Sequence, residues 1–200
     1  SFTYCKENQA IVTRATDEYP IFMFDYGTWQ KIYQPMSAEK QYRFRYAGNK
    51  PSRFMFGLKA IESEFKRRKK KVEDNYDEID EDDDNETKKK KRDPRLEAVF
   101  ICSGGSDGLN LRSFEKYPVW FNSESEHLEW DEYRELKKLA KEIYYLADLD
   151  TTGVKQAINL GLKYLDIKLV WLPDALKQYR DRRGNSRKDF KDYVEVFYRH

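Results

Sequence analysis

Four short apolar runs, 98–102 (AVFIC), 119–121 (VWF), 143–149 (IYYLADL) and 168–172 (KLVWL), alternate with segments of helical spacing. Residues 129–141 put Trp130, Tyr133, Leu136, Leu139 and Ala140 on one helical face, and 153–165 repeat the pattern with Val154, Ala157, Ile158, Gly161, Leu162 and Leu165. Leu109, Leu111 and Phe114 give 106–114 a shorter helical pattern. Strands alternating with helices predict an α/β domain with a parallel sheet and right-handed crossovers.

The N-terminal part has another texture. Its aromatic and β-branched runs 19–26 (YPIFMFDY), 31–33 and 42–46 (YRFRY) are broken by Gly27, Pro35, Gly48 and Pro51, which predicts strands and turns. Alternation over 42–46 sets Arg43 and Arg45 on one face and the aromatics on the other, so a small, mainly antiparallel sheet with a basic face is expected. Between the two parts, an acidic block from Asp77 to Glu86 meets the basic run 88–92 with almost nothing apolar, the composition of a solvated, mobile insertion. The chain is therefore expected to comprise 1–75, a basic β-rich subdomain, 76–94, a charged insertion, and 95–200, the α/β domain, giving α+β overall.

The 37% of charged residues would suit a disordered chain, but 16% aromatic residues argue for a folded one. A net charge of +2 means that a polyanionic partner must be recognised by local clusters. The spacing of Cys5, Cys102, His127 and His200 does not suit a structural zinc site, so reduced thiols in a cytoplasm-like compartment are expected. There is no signal-like N-terminal pattern and no apolar run near the ~20 residues of a membrane span. Among the tryptophans, Trp120, Trp130 and Trp171 sit in apolar patterns and read as core, whereas Trp29 reads equally as core or as a stacking residue.

In an open parallel sheet, ligands bind beyond the carboxyl ends of the strands. Ser103-Gly104-Gly105 follows the first run, and Asp148-Leu149-Asp150 closes the third. Side chains two apart on a strand point the same way, so both carboxylates can share one hard cation such as Mg2+. Asp150 also precedes Thr151-Thr152-Gly153, where an Asp caps a helix, and the pair alone leaves both readings open. A further acidic cluster, Asp189 and Asp192, follows the last strand and the basic residues Arg180, Arg182, Arg183 and Arg187, and can reach the same edge.

The order Ser103-Gly104-Gly105-Ser106-Asp107-Gly108-Leu109, Asp148-Leu149-Asp150-Thr151-Thr152-Gly153 and Lys188-Asp189 resembles a Toprim domain. Upstream, Lys31-Ile32-Tyr33-Gln34-Pro35, Tyr42-Arg43-Phe44-Arg45 and Phe54-Met55-Phe56-Gly57 are similar to the polymerase core of phage-type DNA primases, so the likeness spans roughly residues 19–197. It implies a Toprim-like parallel four-stranded sheet with helices on both faces. It further implies synthesis of short RNA primers on a single-stranded DNA template from ribonucleoside triphosphates, with Mg2+ or Mn2+, beside a replicative helicase in the cytoplasm of a bacterial host cell. By the same resemblance Asp148, Asp150 and Asp107 would be catalytic, Asp148, Asp150 and Asp189 metal ligands, and Lys31, Arg43, Arg45 and Lys188 contacts to nucleotide or DNA. One position departs from the pattern: the Toprim glutamate falls at Ser103, and the glutamate that some primases carry at the place of Gly105 is also absent. A hydroxyl is a poor substitute for a carboxylate as ligand or base, which leaves a weakened, nucleic-acid-binding Toprim module or a Toprim-type nuclease as alternatives.

Overall fold

The computed structural model describes residues 2–6, 9–74, 93–122, 127–181 and 184–198. Of the charged insertion expected at 76–94, only Asp93 and Pro94 fall within that set. The chain divides into two units, 1–52 and 53–200, and residues 53–74 build into the second.

In the first unit, β1 (Phe2–Lys6) and β2 (Gln9–Thr13) pair as an antiparallel hairpin. A three-stranded antiparallel sheet follows, in the order β3 (Phe22–Asp25), β4 (Trp29–Tyr33), β5 (Phe44–Gly48). The β3–β4 turn is closed by the Asp25 carboxylate, which accepts from the Gly27 amide at 2.8 Å. The expected basic face is corrected here. Arg45 is half-buried, opposite the buried Ile32, with its guanidinium 4.6 Å from the centre of the Tyr42 ring, whereas Phe44 and Tyr46 are exposed. Arg43 precedes the strand. An arginine stem covers apolar surface as well as an aromatic does, and alternation alone does not say which face is the outer one.

The second unit holds a five-stranded sheet in the order β10 (Lys168–Trp171), β9 (Ala140–Ala147), β7 (Leu96–Cys102), β8 (Pro118–Phe121), β6 (Met55–Phe56). The four expected runs pair in parallel. A fifth strand, β6, adds antiparallel to β8 at the edge, which makes the sheet mixed. It is two residues long, too short to leave a periodic signal. Gly57 ends it at φ +84°, and a Cβ there would lie 2.2 Å from the Pro118 carbonyl oxygen, so the chain can leave the edge only through a glycine.

Alternation along the strands feeds two layers. Val99, Ile101 and Ile143 pack with Ile61 of α1 (Leu58–Asp74), Leu136 of α3 (Trp130–Leu139) and Ala157 of α4 (Thr151–Lys163). Trp120 projects the other way, onto α2 (Gly105–Ser113), which in turn contacts α5 (Phe190–Phe197). Helices thus cover both faces. Trp120 is buried as expected, but Trp130 and Trp171 are about half exposed and Trp29 is buried. Leu136→Ala removes a fully buried side chain from this core, and is expected to lower unfolding free energy by about 2–5 kcal/mol, read as a reduced urea midpoint.

Candidate functional site

The strand β9 stops at Ala147, so Asp148 and Asp150 lie in the loop that leads into α4 and not on the strand itself. Asp150 caps the helix, accepting from the Gly153 amide at 2.8 Å, while Leu149 between the two is buried. Asp competes poorly for strand positions and well for caps, which explains the shorter strand. The two carboxylates still face one place. The Lys188 ammonium bonds the Asp150 carboxylate and lies 4.0 Å from the Asp148 oxygen. On the adjacent strand end, the Ser103 hydroxyl donates to Asp148.

Lys188 and Asp189 reach this edge because their segment is tied to it through the backbone. The Leu149 amide donates to the Lys188 carbonyl at 2.9 Å. Asp189 caps α5 by accepting from the Asp192 amide at 2.7 Å, and Asp192 accepts from the Lys188 amide at 2.9 Å and from Arg187 at 3.1 Å. Asp107, in the first turn of α2 and 5% exposed, accepts from the Lys191 amide at 2.9 Å and so fastens α2 to the start of α5. Asp192 and Arg187 were legible only as charged surface; their part in holding this turn has no sequence signal beyond their spacing.

Charge is concentrated here. Burial, with the neighbouring Asp189 and Asp148 charges, pushes the Asp107 carboxyl up to about 8 against the relief of the Lys191 amide. Burial, with Asp192 and Asp148, pushes Asp189 up to about 6. Burial also raises Asp150, but Lys188 and the Gly153 amide outweigh it and leave that carboxyl below its usual range. Lysine therefore neutralises one side of the cluster and leaves the other side repelling itself.

The donors are carboxylate oxygens, the chemistry that Mg2+ and Mn2+ prefer. Among the described residues, however, no three His, Cys, Asp or Glu side chains are grouped so as to hold a metal ion. The place between Asp148 and Asp150 is held by the lysine ammonium. The donor set thus fits a hard cation in kind, and such an ion could enter between those two residues only by displacing Lys188.

Gly153 has a positional reason. A Cβ there would lie 2.5 Å from the Asp148 carbonyl oxygen and 2.6 Å from the Asp148 Cβ. Gly153→Ala is expected to push Asp148 out of place, costing about 1–3 kcal/mol in thermal unfolding.

A cavity of about 220 Å³ opens beside Ser103 on the α4 side, walled by Ile101, Phe121, Leu128 and Tyr145 with Gln156 and Asn159 among its polar lining. Its walls come from strands and helices far apart in sequence, so periodicity gives no sign of it. Lys31, Arg43 and Arg45 belong to the first unit, whereas Lys188 contacts the Asp148 and Asp150 carboxylates directly. No protein-family model matches the chain, and no curated protein matches it in sequence.

Proposed function

We propose that the chain is the catalytic core of a primase, a nucleotidyltransferase that makes short RNA primers on single-stranded DNA from ribonucleoside triphosphates with Mg2+ or Mn2+, alongside a replicative helicase in a bacterial cytoplasm. The observation that carries the reading is the gathering of Asp107, Asp148, Asp150 and Asp189 beyond the carboxyl ends of the adjacent parallel strands β7 and β9, where burial and the Asp189 and Asp148 charges together raise the Asp107 carboxyl. A divalent cation and a nucleotide's phosphates are what such an edge accommodates.

In this reading Asp148, Asp150 and Asp189 would hold the cation, which requires them to draw together from their present places, where no three such side chains among the described residues are grouped for a metal. When bound, the ion would neutralise charge on the triphosphate and activate the attacking hydroxyl. The chain's own part is positioning. Asp107 fixes the turn that presents Lys188 and Asp189, and Ser103 orients Asp148 by its hydroxyl. Lys188, once off Asp150, would offer its ammonium to a phosphate oxygen, and Lys31, Arg43 and Arg45 would serve nucleotide phosphates or template from the first unit. Titration calorimetry with Mg2+ or Mn2+ tests the metal step: saturable binding that disappears in Asp148→Asn with Asp150→Asn supports it, and binding unchanged by that pair removes it.

A second reading, a metal-free nucleic-acid-binding module, is favoured by one observation, the Lys188 ammonium seated between the carboxylates beside the Ser103 hydroxyl, where the resemblance would imply a glutamate. The two readings part at Lys188→Met. A unit charge at that range contributes up to ~4 kcal/mol at an effective dielectric near 20. If the edge takes a cation, the variant is expected to bind Mg2+ about tenfold or more tightly than the parent; if the lysine is a permanent substitute, neither form binds Mg2+ and the variant loses stability.

A further inference from the structure

The apolar face expected over 153–165 splits in two. Ala157 and Leu160 pack into the core, whereas Ile158 is 48%, Leu162 72% and Leu165, just past the end of α4, 87% exposed. These three follow one another at about one helical turn and form a stripe along the outer side of α4. Beside it lies β10. A Cβ on Gly161 would lie 3.3 Å from the Leu169 side chain, so Leu169 points toward α4, and Trp171, two residues on and 46% exposed, shares that face. Stripe and strand together expose roughly 500 Å² of apolar surface, the size at which such a patch commonly serves an interaction.

The strand indicates what covers it. β10 is the last strand of its sheet, and among the described residues the backbone of Lys168–Trp171 bonds β9 alone. Its outer edge is a row of donors and acceptors that another strand completes. A lysine on an edge usually blocks such pairing, but the Lys168 ammonium is drawn inward to the Glu142 carboxylate on β9. A second copy of the chain supplies a strand and a matching stripe at once. Two β10 strands paired antiparallel about a twofold axis normal to the sheet keep both α4 helices on the same side. The helix packs on β9 as well as on β10. With strands ~4.8 Å apart, two helices so seated lie ~10 Å from each other, the distance at which helices pack. Lys155, at the amino end of the stripe, then falls beside the carboxyl end of the facing helix, where a cation is favoured. The pair covers about 1,000 Å² in all, the lower limit of a specific interface. A peptide strand would satisfy the edge and leave the stripe bare, and a lipid surface would do the reverse.

We infer that β10 and the outer side of α4 form the interface of a symmetric homodimer. The two five-stranded sheets join edge to edge, and Ile158, Leu162, Leu165 and Trp171 of each copy pack on those of the other. Antiparallel joining points the carboxyl ends of the two sets of parallel strands in opposite directions, so each acidic edge stays open. The inference is independent of the primase reading.

Sedimentation velocity of the full chain over a dilution series tests it. A monomer–dimer equilibrium with a Kd on the order of 10 µM is expected, the weak end for an interface of minimal size. Leu162→Glu with Leu165→Glu puts carboxylates into the joint and is expected to raise Kd about 100-fold or more. Its circular dichroism spectrum should not change, since both side chains face water in the single chain. Leu109→Glu, also at an exposed leucine but on α2, leaves the dimer intact. In the unmodified chain, hydrogen exchange at the β10 amides slows as the concentration passes Kd, a readout that depends on no variant folding. The inference is overturned if the chain stays monomeric well above that concentration, if the glutamate pair dimerises like the parent, if Leu109→Glu dissolves the dimer, or if the β10 amides exchange equally fast in monomer and dimer. A monomeric chain whose stripe binds lipid vesicles or a peptide equally overturns it. Asp148→Asn with Asp150→Asn is expected to dimerise like the parent, so its loss of synthesis bears on the primase reading alone.

Discussion

On the proposed primase reading, replacing Asp148 and Asp150 together by Asn is expected to reduce primer synthesis by about 1,000-fold or more, since a cation's charge stabilisation of the transition state would be worth several kcal/mol and each 1.36 kcal/mol is tenfold. The fold should survive. Asn caps a helix nearly as well as Asp, so the bond now made from the Gly153 amide to Asp150 has a replacement acceptor. The Lys188 ammonium loses its carboxylate partner, but it is 42% exposed and can return to water. The expected signature is therefore loss of Mg2+ binding and turnover, measured by calorimetry and by incorporation of labelled ribonucleotide, with an unchanged circular dichroism spectrum. Loss of folded structure instead would show the pair to be a structural cap and ion pair.

The largest effect on folding is expected from Gly57→Val. The backbone there is at φ +84°, a region that β-branched residues almost never adopt, and an added Cβ would meet the Pro118 carbonyl oxygen at 2.2 Å. Strain of this kind costs about 1–3 kcal/mol on its own, and the clash is with backbone that cannot rotate away. The sum should take about 3 kcal/mol or more from a stability that for domains of this size is about 5–15 kcal/mol. Urea unfolding followed by tryptophan fluorescence reads it directly. Gly57→Ala should fall between the parent and the valine variant.

The four parallel strands were legible because each is an apolar run followed by small or polar residues, with amphipathic helices between. The edge strand β6 was not, because Met55 and Phe56 make a strand only by virtue of β8 lying alongside. Phe54-Met55-Phe56-Gly57 stood out through a family likeness; the geometry gives Gly57 a physical task that the likeness did not supply. Trp29 and Trp130 were harder. Trp29 is buried where it stacks on Tyr26 at 4.6 Å, and Trp130, on an apolar helical face, lies at the margin of the core against Tyr164 at 5.0 Å, so neighbours rather than spacing decide burial.

At the acidic edge, the residue types and their order pointed to Asp148, Asp150 and Asp189, while their roles did not follow from spacing. Two of them are helix caps. The Lys188 contact spans 38 residues and depends on the Leu149–Lys188 backbone hydrogen bond. No period in the sequence encodes such a contact. In the first unit, alternation correctly separated Arg45 from Phe44 and Tyr46, but which face met solvent depended on the packing around Ile32.

The central claim is tested most directly by incubating the full chain with single-stranded DNA, Mg2+ and labelled ribonucleoside triphosphates and resolving the products by length. The account predicts short oligoribonucleotides that require template and divalent cation and vanish in Asp148→Asn with Asp150→Asn. Absence of any product under conditions where the same protein binds both Mg2+ and single-stranded DNA would contradict it.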